Sequence, residues 1–256
     1  MAKRRKVRNG YKGDMERLEM SLVLNEQAIQ EDRRRKKWSI HDLRTIKPLS
    51  PTQEEMFHAF YNNNNICACG SAGTGKTFLA LYLALVEVLE QRSANKIIIV
   101  RSAVSTREIG HLPGTLEEKM AEYETPYRDI VADLIGRQAT YEDMKHAGII
   151  KFMSTSYIRG LTWDNVIVIV DEAENMNFHE IDSIMTRIGK NSRIVVTGDI
   201  IQTDLIKRSN DSSGMPRMID IIQKMPKFSN IVFTQHDIVR SQFVRDWIIA
   251  SEDTPE

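Results

Sequence analysis

Cysteine is scarce in this 256-residue chain, which has only Cys67 and Cys69. Two apart on a predicted strand, they face the same side and cannot close a disulfide on each other. A zinc site would need further ligands, and no second cysteine pair or histidine cluster lies nearby. Both thiols are expected in the core. Long apolar runs are missing too, since none approaches the ~18 residues that a membrane-spanning helix needs. The basic stretch Met1–Tyr11 is not followed by an apolar segment, so no secretory signal is read and the cytoplasm is the expected location. Net charge is also absent, because 35 basic and 35 acidic residues cancel. That balance hides an asymmetry. Residues 1–37 hold 12 Lys/Arg against 6 Asp/Glu, a net of +6 that the remainder offsets with −6. Such a tail is either drawn to nucleic-acid phosphates or simply solvated, and composition leaves both open.

What is present centres on Gly70-Ser71-Ala72-Gly73-Thr74-Gly75-Lys76-Thr77, a complete G-x-x-x-x-G-K-[ST] P-loop. Before it, Asn65–Cys69 reads as a buried strand. After it, Phe78–Glu90 is rich in Leu and Ala, lacks Gly and Pro, and reads as a helix. The glycines let the backbone N–H groups of residues 70–77 turn inward around phosphates, and the helix N-terminus adds positive charge there. Lys76 is expected to reach the β- and γ-phosphates of a nucleotide, and the Thr77 hydroxyl to hold Mg²⁺.

A second half of the site is predicted further along. The apolar run Val166–Val170 ends in Asp171-Glu172. Parallel strands bring their C-terminal ends to one edge, where ligands bind. Asp171 is therefore expected beside the P-loop, holding Mg²⁺ through water, with Glu172 as the general base that orients the attacking water. The alternative, a strand ending in two surface acids, does not explain the P-loop. Thr197-Gly198-Asp199 repeats the pattern on the next strand, and Gln202 beyond it is the candidate γ-phosphate sensor, a polar turn residue being the alternative. Upstream, Gln53 offers an amide donor and acceptor that match an adenine edge.

The remaining pattern alternates helices with apolar strands. Thr52–Tyr61 reads as a helix capped by Thr52 with Glu55 completing a capping box. Strands are read at Ile97–Val100, Ile149–Met153, Arg193–Thr197 and Ile231–Phe233. Helices are read at Leu116–Ile135, with Pro126 inside, and at His179–Ile188, Met215–Lys224 and Asp237–Ala250. Strands alternating with helices predict an α/β fold, a parallel sheet with helices on both faces. The expected division is a basic N-terminal extension over 1–47 and an ATPase domain over 48–256.

With these pieces assembled, the chain resembles the PhoH family of P-loop ATPases. Beside the P-loop, the resemblance rests on Leu112-Pro113-Gly114, Tyr157-Ile158-Arg159-Gly160 and Asp171-Glu172-Ala173-Glu174-Asn175. It continues through Thr186-Arg187-Ile188-Gly189, Thr197-Gly198-Asp199 with Gln202 and Asp204-Leu205, and Asp237-Ile238-Val239-Arg240. It implies a RecA-like core, ATP binding and hydrolysis, and a link to RNA or single-stranded DNA. The rival reading is an ATP-dependent switch or assembly factor with slow turnover and no nucleic acid. One departure stands in the site: Glu174 occupies the place of the family's usual Gln. Arg101-Ser102 and Arg159-Gly160-Leu161-Thr162 depart where the family has Arg-Pro and Arg-Gly-Arg-Thr. Helicase-type ATPases place the nucleotide between two cores and take an arginine from the second. One core per chain then implies a head-to-tail homo-oligomer, a hexameric ring favoured, with Arg240 as first candidate finger ahead of Arg187 and Arg159. The alternative is that these arginines pair with carboxylates inside their own subunit.

Overall fold

The computed structural model describes residues 38–90, 93–102, 116–158, 160–199 and 213–252. Leu112-Pro113-Gly114, Arg159, Gln202, Asp204-Leu205 and the basic segment 1–37 lie outside the described residues. Ile40–Glu256 forms one unit. Its elements run α1 (Pro51–Tyr61), β1 (Asn65–Gly70), α2 (Lys76–Leu89), β2 (Lys96–Arg101), α3 (Leu116–Ile135), α4 (Thr140–His146) and β3 (Ile150–Ser154). There follow β4 (Val166–Val170), α5 (Phe178–Met185), β5 (Arg193–Gly198), α6 (Met215–Ile222), β6 (Phe228–Phe233) and α7 (Gln242–Glu252).

The six strands form one sheet in the order β3-β2-β4-β5-β1-β6, and every neighbouring pair is parallel. Their continuous apolar runs follow from being buried on both faces. On one face Cys67, Cys69, Val100, Val168, Val170 and Val196 join Ile181 and Ile184 of α5 and Met215, Met218 and Ile222 of α6. Residues of the other parity, among them Ile66, Ile97, Ile99, Ile167, Ile169 and Val195, are equally buried on the opposite face. There α2 packs across β2, β4 and β5. Every residue from Leu79 to Leu89 on α2 is buried, as expected of a helix apolar on all sides. Its one acid, Glu87, meets Arg193 at 2.9 Å. Both cysteines are free and buried, as expected from the sequence. This is the RecA-like α/β arrangement.

Two local readings are corrected. Helix α1 is capped by Ser50, whose hydroxyl accepts the Gln53 N–H at 3.2 Å, and not by Thr52. Pro51 brings a preset φ and no N–H to the first helical position, which moves the start upstream. The terminal helix begins at Gln242, not Asp237. Thr234 and Asp237 instead close a capping box around a single 3-10 turn, and Ile238 leaves it extended. One helix, α4, carries too few residues to show periodicity in the sequence. The segment before α1 runs along the body, with Arg44 N–H on the Leu134 carbonyl at 2.8 Å, Arg44 paired to Asp133 at 2.7 Å, and Ile46 N–H on the Tyr82 hydroxyl at 3.2 Å.

Candidate active site

The sheet order puts β5 between β1 and β4, so three strand ends converge: the P-loop from β1, Asp171 from β4 and Thr197-Gly198-Asp199 from β5. Gly70 turns the chain out of β1 with φ 125°, and a Cβ there would sit 1.8 Å from the Phe233 carbonyl oxygen of β6. No other residue fits. Gly75, with φ 85°, caps α2. Within the loop the Thr74 hydroxyl donates to the Ser71 carbonyl at 3.0 Å. The Lys76 ammonium donates to the carbonyls of Gly70 and Ser71, both at 2.7 Å. Burial pulls the Lys76 pKa down, against the opposing pull of Asp199, Glu174 and Asp171.

Gln53 lies beside this loop, 2% exposed. Its amide nitrogen donates to the Thr74 carbonyl at 3.1 Å and its amide oxygen accepts the Leu49 N–H at 2.8 Å. The two ends offered to an adenine edge in the sequence reading are thus engaged by backbone. In this structure Gln53 ties α1 to the P-loop.

Asp171 is held by three hydroxyls. Its Oδ1 accepts the hydroxyls of Thr77 at 2.7 Å and Thr197 at 2.6 Å, and its Oδ2 accepts that of Tyr127 at 2.7 Å. Burial, with Asp171 adding to it, pushes the Tyr127 phenol well above its usual range, so it stays a donor. The Thr77 hydroxyl and the Asp171 carboxylate are hard oxygen donors within reach of one small cation. Among the described residues no group of three or more His, Cys, Asp or Glu could hold a metal. A donor set of one carboxylate and one hydroxyl suits Mg²⁺, which keeps much of its shell as water and phosphate oxygen.

Glu172 follows in the left-handed region, φ 53° and ψ 48°, a conformation that costs a non-glycine residue roughly 1–2 kcal/mol. Its carboxylate forms an ion pair with Arg101 at the end of β2. Arg101 in turn lies over the Tyr123 ring, 5.5 Å from its centroid. Burial works against the Arg101 charge, yet Tyr127 and Glu172 outweigh it and hold its pKa above the usual range. Glu174 lies deeper, accepting the Asp199 N–H at 3.0 Å. Burial pushes its pKa up to about 7, with Glu172 and Asp171 adding to the effect.

These groups line one cavity of about 760 Å³, which also takes in the apolar Ile46, Leu49, Phe78, Pro126 and Ile130 and the charged Lys47, Asp129 and Asp133. Arg240 lines it as well. The break between the 3-10 turn and α7 lets Val239 N–H reach the Gly73 carbonyl at 3.1 Å. A Cβ on Gly73 would stand 3.1 Å from Arg240 Cγ. Arg240 therefore sits against the P-loop of its own chain. Arg187 donates to the carbonyls of Ile158 and Ser183 and braces backbone instead. Tyr127, the Thr197 hydroxyl and the Arg101 partner of Glu172 escaped the sequence reading. A lone tyrosine on an amphipathic helix carries no signal, whereas Thr197 stood inside a recognised motif.

A family model described as PhoH-like protein matches residues 45–252. The PhoH-like protein of Mycobacterium tuberculosis is 34% identical over 81% of this chain and 58% of its own length. That of Bacillus subtilis is 36% identical over 78% of this chain and 62% of its own, and Protein PhoH of Escherichia coli is 30% identical over 78% and 57%. The chain spans about three fifths of the length of these curated relatives. Among solved structures, unliganded Pif1 from Bacteroides sp aligns over 77% of this chain and 43% of that one, at 14% identity and a TM-score of 0.39.

Proposed function

Since the chain belongs to the PhoH-like family, we propose that it binds ATP across the P-loop and hydrolyses it. The observation that carries this is the 2.7 Å contact between Thr77 of the P-loop and Asp171 at the end of β4, which joins the two halves of a nucleotide site. Lys76 leaves the loop carbonyls for the β- and γ-phosphates. Mg²⁺, held by Thr77 and by Asp171 through water, would neutralise charge on the phosphates. Glu172 accepts a proton from water as its oxygen bonds to the γ-phosphorus and the bond to the β-γ bridging oxygen breaks. Gln202 is kept as the γ-phosphate sensor and Arg240 as a cationic group on the phosphates.

The finer reading couples this turnover to RNA or single-stranded DNA. Its support is the basic segment 1–37, with its net of +6. The rival switch with slow turnover draws on one observation, the Arg101–Glu172 ion pair, which occupies the proposed base. A homo-oligomeric ring, hexamer favoured, remains part of the proposal, supported by the one six-stranded sheet core that the described residues form. No helix among the described residues is long and apolar enough to cross a membrane, and the cytoplasm is the proposed location.

Phosphate release from ATP, with Mg²⁺ or EDTA and with or without single-stranded RNA and DNA, tests the reading. Lys76→Ala should abolish turnover and sharply weaken ATP binding; turnover at the wild-type rate would refute the P-loop assignment. Removing residues 1–37 should keep the ATPase and flatten the salt dependence of nucleic-acid binding, through fewer released counterions. Light scattering with ATP bound reads the oligomer, and a fully active monomer would exclude the ring.

A further inference from the structure

The end of the cavity beneath β4 and β5 is crowded with acids. Glu174, in the turn after Glu172, is 8% exposed and fixed by the Asp199 N–H at 3.0 Å. Gly198 makes room for it, since a Cβ there would stand 2.7 Å from Glu174 Oε2. Glu174 shares the cavity wall with Lys76, Asp171 and Asp199. The charges facing it among the described residues are Lys76 from α2, Asp171 and Glu172 from the end of β4, and Asp199 from the end of β5. From α6 the nearby side chain is Met215, which is neutral. Glu172 has Arg101 and Asp171 has three hydroxyl donors; among the described residues Lys76 is a cation whose charge acts on Glu174. A triphosphate would bring several more negative charges and draw that ammonium toward itself.

We infer that Glu174 takes up a proton when a nucleoside triphosphate binds, so that this chain holds its nucleotide more tightly in mild acid than in mild alkali. The inference rests on the nucleotide reading above. A carboxylate beside a polyphosphate repels it in a weakly screened cavity, whereas a protonated carboxyl is neutral and donates an O–H to a phosphate oxygen. Before binding, burial already pushes the Glu174 carboxyl up to about 7. Phosphate charge moves it further toward the protonated form. The sign follows: a pKa raised in the complex gives full affinity below the free-state value, and affinity is lost as pH rises through the interval up to the bound-state value. One proton limits that loss to about tenfold per pH unit. An amide at this position would donate at every pH and show no such slope.

Titration calorimetry of the full chain with a non-hydrolysable ATP analogue and Mg²⁺ tests this, run from about pH 6 to about pH 9 in buffers of different ionisation enthalpy. The ligand is the same for wild type and Glu174→Gln, so its own protons cancel in the comparison. The wild type should absorb up to one more proton than Glu174→Gln and should lose affinity by as much as about tenfold per pH unit above neutrality. The variant should bind with a flatter profile. Equal proton uptake and parallel pH profiles would overturn the inference while leaving the nucleotide site standing. Should the variant fail to fold in a thermal melt, the wild type decides alone once the protons exchanged by the analogue with Mg²⁺ in protein-free titrations are subtracted, and absence of remaining uptake at neutral pH overturns the inference. No binding by either protein at any pH would remove the nucleotide reading and the inference with it.

Discussion

The Tyr127 hydroxyl donates to Oδ2 of Asp171 at 2.7 Å from a side chain that is 1% exposed on α3. It secures the oxygen that Thr77 and Thr197 leave, so the carboxylate is gripped from three elements. Tyr127→Phe removes one donor and leaves a buried acceptor short, which costs roughly 1–3 kcal/mol. We expect a lower thermal midpoint and a higher Mg²⁺ concentration for half-maximal ATPase. An unchanged Mg²⁺ dependence beside a lowered midpoint would make the tyrosine purely structural.

Glu172→Gln should retain nucleotide binding and reduce turnover by ~10²–10⁴-fold, the usual loss on removing a general base. The amide can still accept from Arg101, so the fold around β2 and β4 should survive. Equilibrium binding and single-turnover hydrolysis separate the two effects. If both fall together, Glu172 holds the site's structure rather than activating water.

Gln53→Ala deletes the amide that joins Leu49 N–H to the Thr74 carbonyl. A buried donor and acceptor lose their partner, so stability should drop by roughly 1–3 kcal/mol and nucleotide affinity should weaken. Preference for ATP over GTP should not change, because the bond is to the loop and not to a base. A selective loss of ATP affinity would return Gln53 to the adenine edge.

Arg240→Ala should lower turnover, and mixing it with Lys76→Ala subunits should recover nothing, because Arg240 lies on the P-loop of its own chain. Recovery in mixed assemblies would show that the arginine crosses to a neighbour during turnover.

The P-loop backbone was legible in the sequence because it is local. Residues 70–77 are contiguous, their glycines answer to backbone geometry, and the apolar runs of β2, β4 and β5 announce a sheet buried on both faces. Asp171 and Glu172 were readable for the same reason, being the polar pair at the end of Val166–Val170. What the chain does between distant segments was not. Tyr127 and Asp171 are 44 positions apart, and Gln53 and Thr74 are 21 apart. No spacing rule links such pairs, since only the order β4-β5-β1 and the helices packed on it bring them together. The family motif offered Arg240 as a candidate finger, but its own-chain contact depends on the break at 238–241 between the 3-10 turn and α7. Sequence determined which polar groups stand in the loop and at the strand ends; packing decided which carboxylate each hydroxyl holds, which amide is spent on backbone, and how deeply Glu174 is buried.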